Sequence, residues 1–130
     1  MIIVMAIMNV KPGKKDAFIL DAKDLVAKTR QETGCISYDL LASTEDKDLL
    51  VMLEKWENIE SLNTHMETDH FKKFGGTIER FLTEEIEIKS YSVDSLWYNE
   101  DWTDLFPIHI YNYNILDEHL QASHALNGCF

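Results

Sequence analysis

The sequence predicts an α+β protein in which one layer of helices covers a four-stranded antiparallel sheet. Four segments have the length and apolar content of strands, at residues 2–10, 35–42, 49–56 and 84–93. The stretches that follow the first and third of these segments place apolar residues at helical spacing. The resulting order, β-α-β-β-α-β, is that of the ferredoxin-like split βαβ arrangement.

The first predicted strand is apolar on both of its alternating faces, with Ile3, Met5 and Ile7 on one side and Val4 and Ala6 on the other. A strand of this kind must be covered on both sides, whereas the helices of so small a domain cover only one. We therefore expect the open sheet face to meet either a second copy of the chain, as a homodimer, or the C-terminal tail.

The remaining elements are predicted from the glycine, polar-turn and helix-capping residues that separate the apolar segments. A first helix is expected over residues 14–31 and ends before Gly34, a natural helix stop. The polar turn at 43–48 joins the two middle strands as a hairpin. Asn58 then begins a short helix, and a second helix is expected over residues 69–82.

The last strand is expected to be half-exposed, with Ile86 and Ile88 facing the core. It completes a domain that we assign to residues 1–94. Residues 95–130 form a C-terminal extension that contains seven of the 14 aromatic residues and no Lys or Arg. Because disordered tails are poor in aromatic residues, we expect this extension to pack on something.

Within the extension, residues 108–115 have the composition of an additional strand. Residues 117–126 are expected to form a short helix that ends at Asn127-Gly128.

The composition argues against several classes of protein. A net charge of −11 does not suit nucleic-acid binding, which needs a basic surface. The apolar N-terminal run lacks a basic region and a cleavage site, and is about half the length of a membrane span. Two cysteines make no disulfide framework. The expectation is a cytoplasmic protein with no membrane or nucleic-acid partner.

Two histidines are the best candidates for chemistry, since the sequence has no nucleotide-binding, serine-hydrolase or HExxH motif. His65 and His70 are five residues apart, off the i, i+4 spacing of two metal ligands on one helix. A cap at Thr68-Asp69 could break the helix and bring them together. We expect no metal and favour acid/base chemistry, because imidazole titrates near neutral pH.

Simpler interpretations remain for each candidate. His70 could cap or cover its helix, and Trp56 could be a core residue. Asn9, the one polar residue of its strand face, could be a strand-end residue without a ligand.

Three collinear segments over residues 2–93 resemble the antibiotic biosynthesis monooxygenase family. They are NVKPGKKDAFI, RQETGCISYDLL and LLVMLEKWENIESLNTHMETDHFKKF, which contain Glu32-x-Gly34-Cys35-x-x-Tyr38, Glu54-x-Trp56 and His65-x4-His70-Phe71. The resemblance implies a dimeric α+β barrel fold with a pocket between sheet and helices. It also implies a cofactor-independent monooxygenase that oxidises a small aromatic or quinol-like substrate with O2.

On that pattern, His65 or His70 is the expected base and Asn9 a hydrogen-bond donor to the substrate anion. Glu54 could orient a histidine, as carboxylates do elsewhere. The residues expected to bind the substrate are Trp56, Tyr38, Glu54 and Phe71.

The same resemblance leaves other activities open. Heme-degrading relatives use an Asn, a Trp and a ligating His, but here the Trp position is His65 and the His position falls at about Gly75, which disfavours heme. An isomerase or tautomerase acting on a small carbonyl or phospho-sugar compound would share these motifs. A non-catalytic small-molecule binding module is the third possibility.

Overall fold

The computed structural model describes residues 1–98 and 111–115 of the chain. Two compact units divide the chain, one over residues 1–90 and a second that begins at Tyr91. The strands are β1 Ile2–Asn9, β2 Cys35–Ala42, β3 Leu49–Trp56, β4 Glu87–Tyr98 and β5 Tyr111–Ile115. The helices are α1 Lys15–Thr29, α2 Ile59–Met66 and α3 Asp69–Ile78, and a 3₁₀ turn follows at Glu79–Phe81.

The strand order begins β2-β3-β1-β4, and β4 runs from the first unit into the second at Tyr91. β1 pairs antiparallel with β3 from Ile2 opposite Trp56 to Asn9 opposite Leu49. β2 pairs antiparallel with the other side of β3, with an irregularity between Cys35 and Ser37. The predicted ferredoxin-like α+β fold with a four-stranded antiparallel sheet is confirmed.

Strict alternation along the central strands separates the two sheet faces. Val4, Ala6 and Met8 of β1 are buried beneath the helices. Their neighbours Ile3, Met5 and Ile7 lie on the opposite face and are only partly buried, as are Val51 and Leu53 of β3. Apolar residues therefore line both faces of the sheet, as the sequence predicts.

Aromatic rings join the helical layer to the core. Phe18 of α1 is fully buried and meets Phe74 and Phe81 edge-to-face, with ring centroids 5.8 and 5.7 Å apart. Edge-to-face pairs add to the stabilisation that burial alone provides. These contacts pack α1 against α3 and against the 3₁₀ turn that follows it.

The last strand departs from its prediction. β4 begins at Glu87, not Glu84, and Ile88 is 62% exposed where we expected it to face the core. Ile86 does pack against the core, but it precedes the strand, whereas Val93 lies within the strand and is buried. Since side chains alternate along a strand, Ile88 and Val93, five residues apart, lie on opposite faces, and it is the face of Val93 that is covered.

In the second unit, β5 pairs antiparallel with β4, from Val93 opposite Ile115 to Tyr98 opposite Tyr111. The additional strand predicted at 108–115 is thus confirmed over Tyr111–Ile115, and residues 108–110 lie outside the described residues. The helix predicted at 117–126 lies outside the described residues. Among the helices that the structure describes, none is both long and apolar enough to cross a membrane.

Candidate active site

The junction between α2 and α3 brings the two histidines together. Thr68 accepts a hydrogen bond from the Phe71 amide at 3.3 Å and donates one to the His65 carbonyl at 2.6 Å. Its hydroxyl therefore caps the start of α3 and also satisfies a carbonyl at the end of α2. The predicted helix break at Thr68-Asp69 is confirmed, and it places the His65 and His70 rings 6.1 Å apart.

The loop after α1 delivers a third functional group, Glu32. Gly34 in this loop has φ +84°, and a Cβ atom there would collide with Ser61 near the start of α2. The Gly34 carbonyl also accepts a hydrogen bond from the Glu57 amide at 2.9 Å. Only glycine permits this conformation and this close approach, which together hold the loop, and Glu32 with it, against α2.

The Glu32 carboxylate lies between the two imidazoles. Its Oε2 is 2.6 Å from His65 Nδ1, and its Oε1 is 3.5 Å from His70 Nε2. The shorter distance is a charge-assisted hydrogen bond, whereas the longer one is an electrostatic contact without hydrogen-bond geometry. The side chain of His65 is 1% exposed, and those of Glu32 and His70 are each 15% exposed.

Three polar atoms of this cluster are buried without a hydrogen bond. Within the described part of the chain, Glu32 Oε1, His65 Nε2 and His70 Nε2 have no hydrogen-bond partner. Buried polar groups are nearly always paired in proteins, so unpaired ones call for an explanation. Three of them within one carboxylate–histidine cluster indicate a functional site more than a core hydrogen-bond network.

Aromatic rings enclose the His65 imidazole. The ring centroid of Trp56 lies 4.7 Å away, that of Phe71 4.9 Å and that of Tyr38 5.4 Å. Trp56 and Tyr38 are buried core residues. The structure thus brings three of the predicted substrate-binding residues to the histidine, as packing around its ring.

Glu54, the fourth of those residues, contacts an aromatic residue and not a histidine. It is 6% exposed and accepts a hydrogen bond from Trp56 Nε1 at 2.9 Å. Burial raises the pKa of its carboxyl group to about 7. The hydrogen bond from Trp56 lowers this pKa, whereas the charge of Glu32 raises it further. The carboxylate that contacts His65 is Glu32.

Burial also changes the proton affinity of two neighbours. It lowers the pKa of His65, although the hydrogen bond and the charge of Glu32 act in the opposite direction. Burial raises the pKa of the Tyr38 hydroxyl, and the charges of Glu54 and Glu32 reinforce the effect. His65 and Tyr38 are therefore both held towards their neutral forms.

Asn9 lies apart from the histidines. It follows Ile7 on the sheet face opposite the helices, and its Nδ2 donates to Glu84 Oε1 at 2.6 Å. The structure thus assembles both predicted histidines but does not bring Asn9 to them.

A small cavity of about 40 Å³ borders the cluster, between α1 and α3. Its lining includes His70 together with Asp21 and Asp24 of α1 and Phe74 and Thr77 of α3. A larger cavity of about 340 Å³ lies elsewhere, between α1 and the strands β2 and β3, and contains none of the predicted site residues. We place the site at the smaller cavity because His70, one of the three unpaired titratable groups, lines it.

The cluster has the donor atoms of a metal site as well as those of an acid/base site. Glu32, His65 and His70 each offer one ligand atom, and these atoms lie within 4.8 Å of one another. The fold thus brings the two histidines together with Glu32, although their spacing along the chain does not suit two metal ligands on one helix.

Glu32 is the site residue that reasoning from single positions missed. It lies 33 residues from His65 in the chain, so no local spacing connects the two. The one available signal was its place in the Glu32-x-Gly34-Cys35 segment of the family resemblance.

Comparison with known proteins agrees with the fold. The family model described as antibiotic biosynthesis monooxygenase matches residues 1–76, more than half of the chain. The chain therefore belongs to the antibiotic biosynthesis monooxygenase family, and a monooxygenase-like role follows at the level of the family.

Individual relatives support the same assignment. The Bacillus subtilis (strain 168) protein named "Putative monooxygenase YcnE" is 34% identical over 88 residues, which are 68% of this chain and 93% of that protein. The Escherichia coli (strain K12) protein named "Probable quinol monooxygenase YgiN" is 28% identical over 61% of this chain and 86% of its own length. A conserved protein of Methanosarcina mazei Go1, with a solved crystal structure, is 38% identical over 69% of this chain and 89% of its own, with a TM-score of 0.68.

Proposed function

We propose that the chain is a monooxygenase that oxidises a small quinol or phenol with O2 and needs neither a metal nor a flavin. In such a reaction the deprotonated substrate passes an electron to O2. One oxygen atom is then incorporated and the other leaves as water, with the substrate itself supplying the electrons and both hydrogen atoms of that water, so that a phenol becomes a quinone and a quinol becomes a hydroxyquinone. The protein has to remove the substrate proton and shield the reacting anion from solvent. A quinol as substrate is supported by the name of the Escherichia coli relative.

The observation that carries the proposal is the carboxylate between two imidazoles. Because His70 Nε2 faces Glu32, a proton on that nitrogen leaves Nδ1 as the proton acceptor. Glu32 then stabilises the imidazolium that forms when His70 takes the substrate proton. His65 holds the other carboxylate oxygen at 2.6 Å and fixes its orientation.

His70, and not His65, is the group that we propose to touch the substrate. His70 lines the cavity between α1 and α3, whereas His65 is almost completely buried. A cavity of about 40 Å³ is far smaller than the ligand pockets of proteins, which are roughly 300–1,000 Å³. Substrate entry would therefore require α1 and α3 to separate near His70, with loss of the 2.9 Å hydrogen bond between Thr77 and Asp21.

Oxygen uptake with a panel of quinols and phenols tests the proposal. In chelator-treated protein, His70→Ala and Glu32→Gln should each lower kcat/KM by about 10²- to 10⁴-fold, the range of a general base. His124→Ala changes a histidine outside the described residues and serves as the matched control. The proposal fails if no quinol or phenol supports uptake, or if His70→Ala is as active as the control.

An isomerase or tautomerase is the second candidate, and the paired histidines favour it because one imidazole could remove a proton and another return it. Product formation under anaerobic conditions would support this activity over oxygenation. Ligand binding without turnover in either assay would identify the non-catalytic binding module.

We also propose that two copies of the chain associate in the cytoplasm through the open sheet face. The partly buried residues Met5, Ile7, Val51 and Leu53 support this arrangement, because they form an apolar surface on the face opposite the helices. Sedimentation equilibrium of the intact chain would detect the dimer.

A further inference from the structure

Two unpaired atoms of the site are separated by the distance that a metal ion requires. Glu32 Oε1 and His70 Nε2 are 3.5 Å apart, and both are buried without a hydrogen bond among the described residues. Two ligands bonded at about 2.1 Å to a tetrahedral ion lie roughly 3.4 Å apart. A metal ion could therefore bind both atoms with little movement of either side chain.

A third donor completes the arrangement. His65 offers a ring nitrogen, and the ligand atoms of all three residues lie within 4.8 Å of one another. Two imidazoles and one carboxylate suit Zn²⁺, Co²⁺, Ni²⁺ or Cu²⁺, whereas Mg²⁺ and Ca²⁺ prefer oxygen ligands alone. His70 also lines the adjoining cavity of about 40 Å³, which is large enough to hold a water molecule.

We infer that Glu32, His65 and His70 form a binding site for one divalent transition-metal ion, and that the bound ion inhibits the reaction. The inhibitory half of this inference rests on the proposed function. An ion on His70 Nε2 moves the imidazole proton to Nδ1, so that Nδ1 no longer accepts a proton from the substrate. The ion also occupies the carboxylate oxygen that would stabilise the imidazolium.

Calorimetric titration of the chelator-treated full chain with Zn²⁺ tests the site. We expect one tight site per chain, and a weakening of at least about 10- to 100-fold in Glu32→Gln and in His70→Gln, since the loss of a ligand should cost at least as much as that of an outer-shell partner. Visible absorption of the chain loaded with Co²⁺ is a second measurement, because its intensity distinguishes tetrahedral from octahedral coordination of the ion. Circular dichroism checks that each variant is folded.

The tail histidines provide the control for adventitious binding. The double variant His119→Ala/His124→Ala lies outside the described residues and should retain the tight site. The inference is overturned if this double variant loses the site, or if Glu32→Gln and His70→Gln bind Zn²⁺ as tightly as the unaltered chain.

Oxygen uptake distinguishes the inhibitory half from the proposed function. Stoichiometric Zn²⁺ should abolish uptake and excess chelator should restore it. Uptake that persists with Zn²⁺ bound overturns the inhibition while leaving the proposed function intact. Zn²⁺ binding by a chain that oxidises no quinol or phenol overturns the proposed function, and the inhibition with it, while the metal site stands on the calorimetry.

Discussion

Replacing Glu54 with glutamine should stabilise the protein, and only at neutral to alkaline pH. The Glu54 carboxyl is 6% exposed, and burial raises its pKa from the ordinary 4.5 to about 7. The folded chain therefore holds a proton between these values that the unfolded chain has released. By linkage, folding stability contributed by this group is fully present below pH 4.5 and is lost as the pH rises through about 7.

The magnitude follows from the difference between the two pKa values. Each pH unit corresponds to about 1.4 kcal/mol, so ionised Glu54 should cost the folded state about 3 kcal/mol above pH 7. Glutamine carries no charge at any pH and keeps an oxygen that accepts the hydrogen bond from Trp56 Nε1. The variant should therefore match the unaltered chain at about pH 4 and exceed its stability at about pH 8.

Urea denaturation at both pH values, followed by circular dichroism, measures this difference. Glu85→Gln removes an exposed carboxylate and should leave the stability nearly unchanged at either pH. The reasoning is refuted if Glu54→Gln is no more stable than the unaltered chain at about pH 8, or if its advantage is the same at both pH values.

Two further predictions concern the backbone that holds the site. Gly34→Ala should destabilise the fold by more than Gly13→Ala. Both glycines have positive φ, so an alanine at either position should cost about 1–2 kcal/mol of backbone strain. At Gly34 the new methyl group would also collide with Ser61. Equal losses in urea denaturation would show that the collision is relieved. Thr68→Ala should cost about 1 kcal/mol through loss of the α3 cap, whereas Thr68→Ser should retain the cap. Both variants can be compared by thermal unfolding, and an unchanged midpoint for Thr68→Ala would contradict the capping role.

Much of the fold was predictable because its signals lie between neighbouring residues. The bounds of β2 and β3 agree with the prediction, since apolar alternation and the polar turn between these strands mark both ends. The break at Thr68 was likewise readable from a capping residue between two histidines. The inward residues of β4 were not, because the covered side of a strand depends on what packs against it, and here Val93 is buried while Ile88 is exposed.

The site was predictable only in part. His65 and His70 were identified from residue type, and the aromatic residues around His65 from the family resemblance. Asn9 shares that resemblance, but it lies on the sheet face with Ile7 and hydrogen-bonds to Glu84. Its role towards substrate stays a prediction.

By itself the sequence determined the first three strands, the helices, the helix break and the pair of histidines, because each depends on periodicity or capping over a few residues. The tertiary structure alone decided that Glu32 joins them, since that contact spans 33 residues and depends on Gly34 holding its loop beside Ser61. It also decided that Glu54 is buried against Trp56 and so has a raised pKa. Burial and long-range contact set the charge state of a side chain, and neither property can be deduced from the neighbouring residues in the sequence.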